Sequence, residues 1–263
     1  MIDIATRMGF AIDLASAAGA LAIDYFSKRE TLIVDSKGEQ DWVSEADRNV
    51  ESFIREQISE KWPEDGIVGE EHATKESLSG FSWVIDPIDG TTNFIHGIPL
   101  WAVVLAGVYN DETQLGVIHD PNARETFSAA RGSGAYLGNS PMRVAHSNDL
   151  RTGTVAVGYS NRVESTSVLP VIAELIDRGA MFHRNASGAL SLAYVAAGRL
   201  LGYMEEHMNA WDCLAGQLMI LEAGGAIEPQ SADEMIRQGG RVVASGKGAF
   251  EALVSIADRA WSN

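Results

Sequence analysis

The sequence predicts an α/β chain in two halves. A first α+β half (residues 1–150) carries strands that pair mostly antiparallel; a second α/β half (151–263) has a mixed or parallel sheet. Three observations predict this. Between residues 100 and 137, β-rich runs are joined only by short polar turns. After about residue 150, strand-like runs alternate with helical ones. The chain also opens on a long helical repeat rather than a strand.

The elements follow in order. Ile4, Met8, Ala11, Ala15, Ala18, Ala22 and Phe26 recur at helical spacing and form one apolar stripe. Asp3, Arg7, Asp13 and Asp24 interrupt it, so a soluble amphipathic helix is expected rather than a signal or membrane-spanning segment. A second helix starts at Ser44, which can cap it with Asp47 three residues on, and ends at Pro63; Val50, Phe53, Ile54 and Ile58 give its apolar face. "GIVGEE" (66–71) reads as a strand running into two glutamates, with a polar loop to Gly80. "LWAVVLAGVYNDETQLGVIHDP" and "ETFSAARGSGAYLG" supply the antiparallel strands. Then come a strand at "TVAVGYS", a helix over 164–178, an Ala-rich helix at "GALSLAYVAAG" and a strand at "LLGYMEE". A helix over "WDCLAGQLMILEAGG" ends in paired glycines, and "RVVASG" leads to a last helix over 248–261.

Composition sets outer limits. A chain of 263 residues with 46% hydrophobic and 21% charged residues is an ordinary globular protein. Twenty Lys and Arg face 36 Asp and Glu, a net charge of −16, which argues against direct nucleic-acid contact and against an anionic membrane surface. An anionic substrate would be repelled unless cations intervene. The single cysteine, Cys213, rules out an internal disulfide and suits a cytoplasmic location. No Cys-x5-Arg loop follows it, so it reads as a packed helix residue, and the six histidines show no ligand spacing.

The segment "WVIDPIDGTTNF" (83–94) is the most informative. Asp86-Pro87 can end a strand, and Asp89-Gly90 can form a tight turn. Alternatively, two carboxylates at a strand end can share a hard divalent cation, which takes oxygen ligands. The amides of Gly90, Thr91 and Thr92 would then meet an anion at the start of a helix that Gly97 and Pro99 keep short. Further acids follow strand runs or open helices: Glu70 and Glu71 after "IVG", and Asp212 after "LLGYMEE". Asp212 also reads as a plain helix-opening acid.

These residues carry a resemblance. "GEE" (69–71), "WVIDPIDGTTNFIHGIP" (83–99), "WDCLAGQLMILEAGG" (211–225) and "KGEQDWVSEAD" (37–47) are similar, in order and spacing, to the signature segments of the inositol monophosphatase family. That family consists of Mg²⁺-dependent, lithium-sensitive phosphatases with a layered αβαβα sandwich fold, usually homodimeric. The resemblance implies two to three Mg²⁺ ions per site. Glu70, Asp86 and the Ile88 carbonyl fall on the positions of the first ion, Asp86, Asp89 and Asp212 on those of the second. A third, weaker ion also leans on the Glu70 position. Gly90 and Thr91 match the phosphate-contacting turn, and Glu205 matches an acid that binds a substrate hydroxyl. The implied reaction is in-line attack by a metal-bound water that Glu70 and Thr91 orient and deprotonate, with Asp47 supporting Thr91. No phosphoenzyme is expected, because the D-x-D-x-[TV] segment of haloacid-dehalogenase-type phosphatases is not matched.

"DGTTNF" resembles the branch that acts on inositol phosphates, so inositol 1-phosphate or a similar small polyol phosphate is the expected substrate. The chain departs from that branch at "ASGA" (186–189), where G-[ST]-A-A is usual; Ser187 and Gly188 there belong to a wall expected to contact substrate. Histidinol phosphate is the alternative substrate. A non-catalytic role in ribosomal RNA transcription through protein contacts is the alternative from another class, known of a bacterial family member.

Overall fold

The computed structural model describes residues 2–38, 41–160 and 162–261. The "KGEQDWVSEAD" segment as far as Trp42 lies outside the described side chains. Helix α1 (Ile4–Ser27) starts at Asp3, whose carboxylate accepts the Thr6 N–H at 3.0 Å. A short hairpin of β1 (Val34–Gly38) and β2 (Asp41–Ser44) leads into α2 (Glu45–Lys61). The expected capping box is present: Asp47 Oδ2 accepts the Ser44 N–H at 2.8 Å, and the Ser44 hydroxyl accepts from Asp47 N. Strands β3 (Gly66–Gly69) and β4 (Phe81–Asp89) pair in parallel. Helix α3 (Thr91–Ile95) then intervenes before β5 (Ala102–Tyr109), so Asp89-Gly90 is not a two-residue hairpin turn. Strands β6 (Glu112–Asp120), β7 (Glu125–Ala130), β8 (Gly134–Leu137) and β9 (Ser140–Pro141) complete a seven-stranded sheet in sequence order, antiparallel from β4 onward.

The chain then builds a five-stranded sheet. Its elements are β10 (Thr154–Val157), α4 (Ser165–Asp177), β11 (Met181–His183), α5 (Gly188–Ala196) and β12 (Gly202–Met208). After these come α6 (Ala210–Glu222), β13 (Ala226–Ile227), α7 (Ala232–Gln238), β14 (Gly240–Ser245) and α8 (Lys247–Trp261). The strand order is β11-β10-β12-β14-β13, parallel around β10 and antiparallel around β14. It is the mixed sheet that the strand–helix alternation predicts. Helix α7 and strands β1, β2, β9, β11 and β13 were not legible in the sequence. All six are short, and β9 and β13 have only two residues each, too few for any periodicity to register.

Helices α1 and α2 cover one face of the seven-stranded sheet, and α5 and α6 lie between its other face and the second sheet. Helices α4 and α8 close the far side. The result is the αβαβα sandwich that the family resemblance implies. Alternation along the central strands produces it: Trp83, Ile85, Val103 and Leu105 pack towards α1 and α2, while Val84, Val104 and Ala106 pack towards α5 and α6. Every one of these seven is essentially fully buried. By length and composition α1 could cross a bilayer. In this fold its Ala11, Leu14, Ala15, Ala18 and Ala22 are buried in the core shared with α2 and the first sheet.

Candidate active site

Asp86 and Asp89 are three residues apart, so a regular strand would put them on opposite faces of the sheet. The register with β5 shifts between them: Asp86 pairs with Val104 and Asp89 with Ala102, so three steps on β4 oppose two on β5. This bulge brings both carboxylates to one side. Pro87, which has no N–H to give a ladder, lies within it. The Ile88 N–H donates to Asp86 Oδ1 at 2.9 Å and fixes the turn. Gly90 follows at φ 106°, a left-handed conformation that strains any residue with a Cβ, and caps α3.

Asp212 arrives from the other half of the chain, as the third residue of α6. Its Oδ2 accepts the Asn209 N–H at 3.3 Å, so it is also the helix-opening acid of the plain reading. Oxygens of Asp86, Asp89 and Asp212 lie within 4.8 Å of one another. They line a cleft of about 760 Å³ together with Glu70, Ile88, Gly90, Thr91, Ser187, Gly188 and Glu205. Asp47 lies behind the cleft wall, 1% exposed, and accepts a hydrogen bond from Thr91 Oγ1 at 3.1 Å. The same hydroxyl is 3.3 Å from the Ile88 carbonyl.

The electrostatics are those of a cation site. Burial, then the charges of Glu70, Asp89 and Asp212, hold the Asp86 carboxyl well above the usual carboxylate range. Burial and Asp212 push Asp89 up to about 7, against three donors: the Ser187 hydroxyl and the N–H groups of Ala189 (2.9 Å) and Gly188 (3.3 Å). Burial raises Asp212 as well, and Arg162, 3.8 Å from its Oδ2, opposes the rise. An all-oxygen donor set, crowded and short of positive charge, fits hard divalent cations.

In the same cleft Glu205 accepts a hydrogen bond from the Tyr203 hydroxyl. Burial lifts Glu205 to about 7. Ser187 is 1% exposed; it caps α5 by accepting the Leu190 N–H at 3.2 Å, while its hydroxyl donates to Asp89. Asn93 ties the two halves by donating to the Leu100 and Asn185 carbonyls, each at 2.6 Å. Sequence reasoning did not single out Tyr203, Asn93, Arg162 or Arg184, the last of which also lines the cleft. Tyr203 was findable, two residues before Glu205 on the same strand face. The two arginines come from loops that carry no periodic signal.

The profile of the inositol monophosphatase family matches residues 3–262. The chain belongs to the inositol monophosphatase family. This member is 41% identical over 216 residues to the histidinol-phosphatase of Chlorobaculum parvum, covering 82% of each chain. It is 33% identical over 251 residues to the Nus factor SuhB of Escherichia coli K12, covering 94% of each. Among solved structures, the extragenic suppressor protein suhB of Bartonella henselae superposes with a TM-score of 0.91 at 32% identity, over 97% of this chain and 99% of that one. The inositol monophosphatase of Thermotoga maritima superposes with a TM-score of 0.87 at 28% identity, over 98% of both. Family membership makes the protein a metal-dependent phosphatase, and its acidic cluster is of the kind such chemistry needs.

Proposed function

We propose that the protein is a Mg²⁺-dependent phosphomonoesterase that hydrolyses inositol 1-phosphate or a similar small polyol phosphate. The observation that carries the reading is the set of three carboxylates, Asp86, Asp89 and Asp212, gathered within 4.8 Å at the floor of one cleft. Their mutual repulsion is removed when cations bind, and a phosphate dianion would otherwise be excluded from so acidic a chain. Asp86, Asp89, Asp212, Glu70 and the Ile88 carbonyl would hold the ions. Bound there, Mg²⁺ supplies neutralisation of the phosphoryl charge and a lowered pKa for the attacking water.

The chain's own groups do the rest. The N–H groups of Gly90 and Thr91 meet the phosphate. Thr91 commits its single proton to Asp47 or to the Ile88 carbonyl, which leaves its lone pairs to accept a hydrogen bond from the attacking water. Glu70, on the same cleft, orients that water and takes its proton. Asp47 accepts the hydrogen bond of the Thr91 hydroxyl and so fixes the direction of its lone pairs. Ser187, Gly188 and Glu205, which line the same cleft beside the carboxylates, meet the polyol.

A second reading is histidinol phosphate, supported by the Chlorobaculum relative and by a carboxylate at Glu205 that could pair with an amine. Measuring kcat/KM on inositol 1-phosphate, histidinol phosphate, glycerol phosphates and sugar bisphosphates with Mg²⁺ decides between them; no turnover of any phosphomonoester would end both. The relatives named Nus factor SuhB support a third role, independent of catalysis. Complementation by Asp212→Asn, which removes a proposed cation ligand, separates it: rescue by a catalytically dead variant would favour that role.

A further inference from the structure

We propose that Glu51, on α2, is a positioning residue that holds Glu70 in the cleft by fixing the backbone on either side of it. The inference rests on the proposed role of Glu70 and on no remaining feature of that reading. Glu51 is wholly buried. Its Oε2 accepts the Glu71 N–H at 2.7 Å. Its Oε1 accepts from Arg55 Nε at 2.6 Å and lies 3.4 Å from His72 Nδ1. Arg55 in turn donates from Nη2 to the His72 carbonyl at 3.1 Å, and Ser52 Oγ lies 3.2 Å from His72 Nε2.

On the other side of Glu70 is Gly69. A Cβ there would stand 2.1 Å from Glu51 Oε1, so only glycine lets the carboxylate reach the chain. Residues 71 and 72 are thus held by hydrogen bonds to one helix, and residue 69 packs against the same carboxylate, while Glu70 between them lines the cleft.

The arrangement has a physical logic. Beyond Gly69 the ladder to β4 ends, and the chain enters a loop. A buried carboxylate costs desolvation, and packing alone would be served as well by an apolar side chain. A charged acceptor does what an apolar one cannot: it makes a charge-assisted hydrogen bond to one chosen backbone N–H. Asp47, Glu51 and Arg55 are spaced i, i+4, i+8 and share one stripe of α2. One turn of that stripe holds Thr91 and the next holds the backbone that follows Glu70, so α2 sets the spacing of the two groups proposed to handle the attacking water.

The test is a double-mutant cycle of Glu51→Gln and Glu70→Gln, read by turnover of inositol 1-phosphate or glycerol 2-phosphate and by calorimetric titration with Mg²⁺, which needs no turnover. Glu51→Gln is expected to lower kcat and Mg²⁺ affinity about tenfold, the usual effect of losing a group that orients a ligand, with KM within about twofold. In the Glu70→Gln background the same substitution should change either quantity by less than about twofold. Equal losses in both backgrounds would show a merely structural residue, and wild-type behaviour of Glu51→Gln would likewise overturn the inference. Should Glu51→Gln not fold, Gly69→Ala, which pushes the carboxylate off the backbone, enters the cycle in its place. Wild-type behaviour of Glu70→Gln would count instead against the proposed role of Glu70.

Discussion

The hydroxyl of Thr91 lies 3.1 Å from Asp47 Oδ1, a hydrogen bond across 44 residues that joins the capping box of α2 to the turn after β4. Asp47 spends its other oxygen on Ser44, so one buried carboxylate both starts a helix and orients the threonine at the cleft. If that threonine positions the attacking water, Thr91→Ala should lower kcat by roughly 10²-fold, the range of groups that manage a proton. KM should stay nearly constant because the backbone N–H groups remain. Asp47→Asn should give a smaller fall in kcat. A raised KM with an unchanged kcat would assign Thr91 to phosphate binding alone.

Cation dependence is the second expectation. Chelator should abolish turnover and added Mg²⁺ restore it. Asp212→Asn should lose most of its activity and weaken Mg²⁺ binding while keeping its fold, since Asn retains an oxygen that can accept the Asn209 N–H. Circular dichroism with a Mg²⁺ titration separates the two effects. Full activity in excess chelator would contradict the mechanism.

The raised carboxyls of the cleft imply a pH dependence of fixed sign. Asp89 titrates near 7 when folded, against an ordinary value of 3.8. Below about pH 4 it is protonated in both folded and unfolded chains and costs nothing. As the pH rises from about 4 towards 7 the unfolded chain releases its proton first, so the metal-free protein loses stability, by roughly 4 kcal/mol at most from this group. Mg²⁺ replaces the proton, so its affinity should rise over the same window. The thermal midpoint in chelator should therefore fall between pH 4 and 7, and the gain on adding Mg²⁺ should grow. A metal-free protein that becomes more stable over that range would refute this.

Glu205 offers a test of substrate class. Losing the charge of a hydroxyl's acceptor costs about 1.5–3 kcal/mol at most, and the Gln amide oxygen still accepts. Stranding a desolvated ammonium costs several kcal/mol. Glu205→Gln should therefore weaken inositol 1-phosphate turnover only moderately. A preference for histidinol phosphate, with Glu205→Gln nearly inactive on it, would establish the second reading.

Much of this protein was settled by its sequence. Helical and alternating periodicities located the long elements, because a stripe or a face must be apolar over its whole length to be buried. The acids Glu70, Asp86, Asp89 and Asp212 stood out because each follows a strand run or opens a helix, where chain ends converge on a cleft. What periodicity could not decide is how Asp86 and Asp89 come to one side: a spacing of three opposes them on a regular strand, and only pairing with β5 creates the bulge that unites them. Nor could it show that Ser187 reaches across 98 residues to Asp89, or that Glu51 holds the N–H of Glu71 beside Glu70. Glu51 stands beside Val50 on a helix whose apolar face was read from Val50, Phe53, Ile54 and Ile58, and a lone acid there looks like a solvated edge. Its meaning comes from a contact with Glu71, twenty residues away, and such contacts exist only once the sheet has brought distant segments together. Local sequence fixes which groups are available; the tertiary fold alone decides which of them share a dielectric and a distance short enough to act together.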